Sequence, residues 1–169
     1  VKNLMKYTYF IGVDMGKDKF HYCIQQNHKN LASLEVSNNS EGLEKLKKAI
    51  EALETNDANR VLLCVEQTGI YTQPLLEWSH EQGYDLWLEN PLAIKKSLGI
   101  HRGKTDSIDA QRIAEYAARY VDRVRLWQPS KKVIANLKGL LRLRERLLTN
   151  LKQLKTPLKE SRAYIEEDH

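Results

Sequence analysis

Four acidic residues stand where carboxylates do chemistry. Asp14 closes the aromatic and β-branched run Tyr7 to Asp14, and Glu66 directly follows the apolar run Val61 to Val65. Asp106 and Asp109 are three apart at the start of a helical pattern, so their side chains share one face. Bringing four carboxylates together without compensation is costly: at ~4 Å and an effective dielectric near 20, each pair repels by about 4 kcal/mol. Proteins answer with raised pKa values or a bound cation. An all-oxygen ligand set with places left for water and phosphate suits Mg²⁺ or Mn²⁺. Two such ions can clamp the attacking and leaving oxygens of a phosphodiester. On this reading Asp14, Glu66, Asp106 and Asp109 are the catalytic residues as metal ligands, not as proton shuttles. Singly, each acid has a plainer reading: Asp14 is a turn residue beside Gly16, and Asp106 favours the positive end of its helix. Glu66 is harder to explain that way, because an acid directly after five apolar residues lies near a sheet interior.

The elements that must position these acids follow from periodicity. Tyr7 to Asp14 is expected as a strand, with turn chemistry in Met15-Gly16-Lys17-Asp18. Phe20, Tyr22 and Ile24 alternate with polar residues as a half-buried second strand, and Leu31, Leu34 and Val36 mark a weaker third. Asn38-Asn39-Ser40 is cap-rich, and Leu43, Leu46, Ile50 and Leu53 place an amphipathic helix over 41–54. Arg60 to Val65 fits a central strand buried on both faces. A helix over 72–82 stops at Gly83, a left-handed cap, and Asp85 to Glu89 is a fifth strand. Asn90-Pro91 opens a short helix to Leu98, and Thr105 can cap a helix from Asp106 to Val121. The order β-β-β-α-β-α-β-α predicts an α/β fold, a mixed sheet flanked by helices in the ribonuclease-H-like arrangement. With the first and central strands parallel neighbours, Asp14 and Glu66 share the carboxyl edge, where ligand sites of such sheets form.

The rest of the chain differs in charge. Residues 1–100 carry 11 Lys and Arg against 13 Asp and Glu, whereas residues 101–169 carry 16 against 9. Within 131–159 nine basic residues face the single acid Glu145, a pattern that points to a polyanion partner. Lys131, Lys132, Arg142, Arg144, Arg146 and Lys152 are candidate phosphate contacts, and His101, Arg102 and Lys104 form a smaller basic patch beside the acids. Val133, Leu137, Leu140, Leu147, Leu151, Leu154 and Leu158 recur at spacings of a heptad seam, with Arg144 the charged interruption. Pro157 is expected to kink or end that helix. A partner helix from a second copy, giving a dimer or higher oligomer, would bury the seam. The composition excludes bulk disorder, collagen and a disulfide scaffold. Val61 to Val65 is far shorter than a ~20-residue membrane span, so no membrane partner is expected. Val1 to Lys6 has no signal-peptide stretch, and Cys23 and Cys64 fit no metal spacing, which suits a reducing cytoplasm.

Two resemblances bear on these acids. Asp14-Met15-Gly16-Lys17 resembles the phosphate loop of actin-like and sugar-kinase ATPases, but those close two such domains on ATP and this length holds one. Gly12-Val13-Asp14-Met15-Gly16-Lys17-Asp18, Val65-Glu66-Gln67-Thr68-Gly69 and Lys104-Thr105-Asp106-Ser107-Ile108-Asp109-Ala110 together resemble the DEDD transposases of the Piv-type insertion-sequence family. Asn90-Pro91 fits as well. The resemblance implies a RuvC-like metal-binding domain over 1–127 and a basic coiled-coil segment over 128–169. It implies metal binding by Asp14, Glu66, Asp106 and Asp109. It also implies a nucleophilic serine in a further C-terminal domain, oligomers on DNA and, in some members, a bridging guide RNA. Ser130 and Ser161 lie in tail contexts and are not nominated as that nucleophile. The expected protein is therefore the N-terminal portion of a bacterial, nucleoid-associated DNA transposase or site-specific recombinase, truncated before the serine domain and inactive alone. Rival readings are a stand-alone RuvC-like junction nuclease and a non-catalytic nucleic-acid-binding dimerisation module.

Overall fold

Five alternating or continuous apolar runs become five strands. In the computed structural model, which describes residues 6–53, 57–98, 106–130 and 132–166, they are β1 (Tyr9–Met15), β2 (Lys19–Gln26), β3 (Lys29–Ser37), β4 (Val61–Glu66) and β5 (Asp85–Glu89). The sheet order is β3-β2-β1-β4-β5. The first three strands run as antiparallel neighbours, and β1, β4 and β5 are parallel. Asn27 and His28 join β2 to β3 with φ of 49° and 62°, the pair of left-handed residues that a two-residue hairpin turn requires.

The helices are α1 (Ser40–Glu51), α2 (Gln73–Glu81), α3 (Pro91–Leu98), α4 (Asp106–Arg119) and α5 (Lys132–Glu166). The Asn39 side chain caps α1 by accepting from Gly42 N at 3.1 Å. Gly83, at φ 75°, follows α2 as a left-handed residue. The chain divides into two units, Val1–Gln128 and Pro129–His169, each considered by itself.

The first unit packs helices on both faces of the sheet. On one face Ile11, Val13, Phe20, Tyr22, Leu63 and Val65 meet Leu43, Leu46 and Ile50 of α1 and Leu75 of α2. On the other, Leu62, Cys64 and Trp87 meet Ile94 of α3 and Ile113, Tyr116 and Ala117 of α4. β4 thus feeds both cores, which is why its sequence is apolar without alternation. β3 is an edge strand exposed along most of its length, consistent with its weak pattern.

α4 lies on β1 almost backbone to backbone. A Cβ added at Gly12 would stand 2.1 Å from the Ala110 carbonyl oxygen and 2.2 Å from Ala114 N. Ala110, Ala114 and Ala117 are fully buried, so small residues on both elements permit the approach. At the far edge Trp127 N donates to the Leu86 carbonyl at 2.7 Å, pinning the end of the unit along β5.

In the second unit α5 continues through Pro157 to Glu166. Of the two outcomes expected at Pro157, a kink or an end, the end does not occur: proline removes one backbone donor, and the helix continues on both sides. Thr156 Oγ1 donates to the Lys152 carbonyl at 3.1 Å and Ser161 Oγ to the Pro157 carbonyl at 2.9 Å. Among the described residues no helix is long and apolar enough to cross a membrane.

Candidate metal centre

The site begins with strand register. β1 and β4 pair in parallel with Val13 beside Val65, so Asp14 and Glu66, one residue further along each strand, leave the sheet together. Glu89 extends this edge, because it is the register partner of Glu66 on β5. On all three strands these acids share the face covered by α4. The small-residue contact at Gly12 sets the first turns of α4 over that edge and so sets Asp109 beside them.

Electrostatics shows that Glu66 feels two other carboxylates. Burial holds the Glu66 carboxyl above the ordinary glutamate value, Asp14 and Asp109 push it further up, and Lys95 of α3 pulls it down. Asp109 is partly neutralised by Arg112, one turn along α4, whose Nη1 donates to Oδ1 at 3.0 Å. Glu89 is turned to a different partner: its Oε2 accepts from the Tyr116 hydroxyl at 3.0 Å and its Oε1 from Asn90 N at 2.6 Å. Burial, and then the bond to Glu89, raise the Tyr116 phenol. Burial, Glu89 and Glu66 together push the Cys64 thiol up.

A second set of contacts ties α4 to the hairpin. His21 stands opposite Asp14 in the β1–β2 pair. Its Nε2 shares a 3.0 Å hydrogen bond with Ser33 Oγ of β3, and Ser33 Oγ lies 3.4 Å from Ser107 Oγ in the first turn of α4. Sequence reasoning missed His21, Ser33, Ser107, Arg112, Lys95 and Glu89. Of these, Glu89 alone carried a signal, as an acid at the carboxyl end of a parallel strand.

The predicted acids are distributed as follows. Asp14, Glu66 and Asp109 are half-buried, and Asp14 and Asp109 both act on the Glu66 carboxyl. Asp106 opens α4, but its side chain lies outside the described residues. Among the described residues no three His, Cys, Asp or Glu side chains are close enough, as placed, to hold a metal ion. The predicted basic loop, His101, Arg102 and Lys104, lies outside the described residues, as does Lys131; Lys132 opens α5 and its side chain is likewise not described. Arg142, Arg144, Arg146 and Lys152 are exposed on α5.

The family model DEDD_Tnp_IS110, described as a transposase, matches residues 11–161. The chain belongs to the IS110-type DEDD transposase family. The matched span contains Asp14, Glu66, Asp106 and Asp109. Pilin gene-inverting proteins of Moraxella lacunata and Moraxella bovis are each 34% identical to it over 139 residues. The match takes in 80% of the transposase chain and 42% of those relatives, so the chain spans less than half their length. The T. thermophilus RuvC structure, in complex with a Holliday junction substrate, superposes with a TM-score of 0.51 at 12% identity, over 72% of this chain and 100% of that one. That likeness establishes the RuvC-like fold expected from the motif order.

The donor chemistry fits a hard divalent cation. Every candidate ligand is a carboxylate oxygen, and the mutual repulsion recorded at Glu66 is what such a cation relieves. Thr68 Oγ1, two residues beyond Glu66, is buried without a hydrogen-bond partner, a further polar atom at the same edge.

This predicts a pH signature without metal. The Glu66 carboxyl is raised in the folded chain, so the folded chain holds that proton more tightly than the unfolded one. Its contribution to stability is full below the unfolded glutamate value and is lost as pH rises through the folded value. The urea midpoint of wild type minus that of Glu66→Gln is expected to fall as pH rises from the ordinary glutamate value upward. A difference that stays flat or rises contradicts the placement of Glu66 beside Asp14 and Asp109.

Proposed function

We propose that this chain is the metal-dependent catalytic portion of a DNA recombinase that carries out transposition or inversion, with Asp14, Glu66, Asp106 and Asp109 holding Mg²⁺ or Mn²⁺. The observation that carries the reading is the register placing Asp14 beside Glu66 at one carboxyl edge, with Asp109 of α4 acting on the Glu66 carboxyl. When bound, the metal supplies Lewis acidity to a phosphodiester and stabilises charge on its oxygens. Asp14 and Glu66 present their carboxylates from a rigid sheet edge, and α4, which opens at Asp106, brings Asp109 toward them. Lys95 offsets part of the negative charge. The attacking serine is assigned to a part of the protein outside these 169 residues.

The exposed Arg142, Arg144, Arg146 and Lys152 of α5 are proposed as phosphate contacts to DNA, together with Lys131 and Lys132. A guide RNA, where the element makes one, is proposed as a ligand of the same tail. Cytoplasmic, nucleoid-associated action follows from such partners. Purified chain titrated with Mn²⁺ tests the metal reading, and branched DNA tests the reaction. Metal uptake without cleavage is expected. Cleavage by this chain alone, lost in Asp14→Ala, would favour a self-sufficient junction nuclease; DNA binding with no metal uptake would favour a non-catalytic module.

The leucine seam is proposed to pair two copies. Leu137, Leu140, Leu147, Leu151, Leu154 and Leu158 are each 45–72% exposed on α5. Burying such side chains is worth about 1.5–3 kcal/mol each when complete. The double variant Leu147→Asp/Leu151→Asp is expected to convert an associated species to monomer in sedimentation equilibrium. An unchanged mass overturns this pairing.

A further inference from the structure

The carboxylate cluster contains its own cation. Arg112 stands one turn after Asp109 on α4, and long helical side chains lean back toward the helix N-terminus. Its guanidinium therefore returns to Asp109, where Nη1 lies 3.0 Å from Oδ1. Neither group is a solvated surface partner: their side chains are 23% and 28% exposed. Asp109 in turn bears on Glu66, and Glu66 on Asp14. A metal drawn to these carboxylates and the Arg112 guanidinium thus compete for the same oxygen.

We propose that Arg112 is a resident counter-ion of the acidic site, displaced from Asp109 when a divalent cation arrives, and then turned to contact the phosphate beside that cation. This rests on the metal reading above and extends it to a residue outside the four acids. The exchange raises the local charge by one unit: a singly charged guanidinium leaves the carboxylate as a divalent cation takes it. The guanidinium is planar and carries five donors, so beyond its present partners it has donors whose geometry matches two phosphate oxygens. Arg112 is therefore a positioning group for the nucleic-acid strand in the metal-bound state and a brake on metal entry in the metal-free state.

The two roles predict opposite effects of one substitution. In Arg112→Gln the chain loses the competing charge, and Mn²⁺ affinity without nucleic acid is expected to rise by about three- to tenfold. Arg112→Lys keeps the charge and should stay within about twofold of wild type. With Mn²⁺ saturating, affinity of Arg112→Gln for a labelled branched DNA should fall, and the slope of log affinity against log salt should become shallower by about one phosphate contact. An ordinary helix-surface ion pair would move neither quantity in these directions. Mn²⁺ binding that is unchanged or weaker in Arg112→Gln overturns the counter-ion role. Tighter Mn²⁺ binding with unchanged DNA affinity and salt slope overturns the hand-over to phosphate. A wild-type chain that takes up no Mn²⁺ brings down the metal reading itself, and this proposal with it; uptake by wild type with no change in the variant removes Arg112 alone.

Discussion

Asp14→Asn is expected to lower Mn²⁺ affinity of the chain by about 100-fold, because one full charge is removed from the ion's immediate surroundings. The same substitution should have the opposite sign on the metal-free protein. Asp14 pushes the Glu66 carboxyl up, so its neutralisation lets Glu66 relax toward the ordinary glutamate value and removes repulsion from the folded state. Thermal unfolding separates the two effects. Saturating Mn²⁺ raises the wild-type Tm through binding to the native state alone. The variant should begin at an equal or higher Tm and respond to Mn²⁺ little or not at all. A variant that is destabilised without metal yet still responds to Mn²⁺ as wild type does would show that Asp14 is structural.

The second large effect is mechanical. Gly12→Ala places a methyl group 2.1 Å and 2.2 Å from backbone atoms of Ala110 and Ala114, where no flexible side chain can move aside. α4 must lift from β1, and the buried Ile113 and the alanines beside it lose their packing. Overpacking in a core costs about 1–3 kcal/mol, and a backbone clash belongs at or above the top of that range. The expected loss is about 3 kcal/mol or more, read as a lower urea midpoint with unchanged slope. Because α4 carries Asp109, Mn²⁺ affinity should fall in the fraction that remains folded. A loss below about 1 kcal/mol would mean that α4 does not rest on β1 through this glycine.

Much of this arrangement was legible in the residues. The run Val61 to Val65 followed by Glu66 announced a doubly buried strand ending in an acid, and the structure gives that strand fully buried residues on both faces. Asp85 to Glu89 was bounded by Gly83 and Asn90-Pro91, and β5 has those limits. Helix ends were less well marked. The pattern that ran α1 to residue 54 relied on Leu53, which packs against the core from beyond the helix. α4 ends at Arg119, with a short turn at Val121–Arg123 in place of the last helical residues expected. Pro157 does not end α5, because one missing donor weighs little in an otherwise helix-favouring segment.

The site was legible as a set of acids but not as a balanced system. Nothing in the spacing of Arg112 distinguishes an ion pair inside the cluster from one on an exposed helix face. Only the approach of α4 to β1, through Gly12, Ala110 and Ala114, puts that face at the strand edge. Likewise His21 joins the site through the register of an antiparallel pair, Asp14 opposite His21, which no local pattern encodes. Glu89 reaches the same edge but is held by Tyr116 and Asn90, so acid count alone overstates the ligand set.

The central claim is that Asp14, Glu66, Asp106 and Asp109 close on a divalent cation at the carboxyl edge of β1 and β4. Crystals of the chain grown with Mn²⁺ and measured at the manganese absorption edge test it most directly. The account predicts an anomalous peak bounded by Asp14 and Glu66 with oxygen from the first turns of α4. Ordered carboxylates with no peak between them, or a peak elsewhere on the molecule, would contradict it.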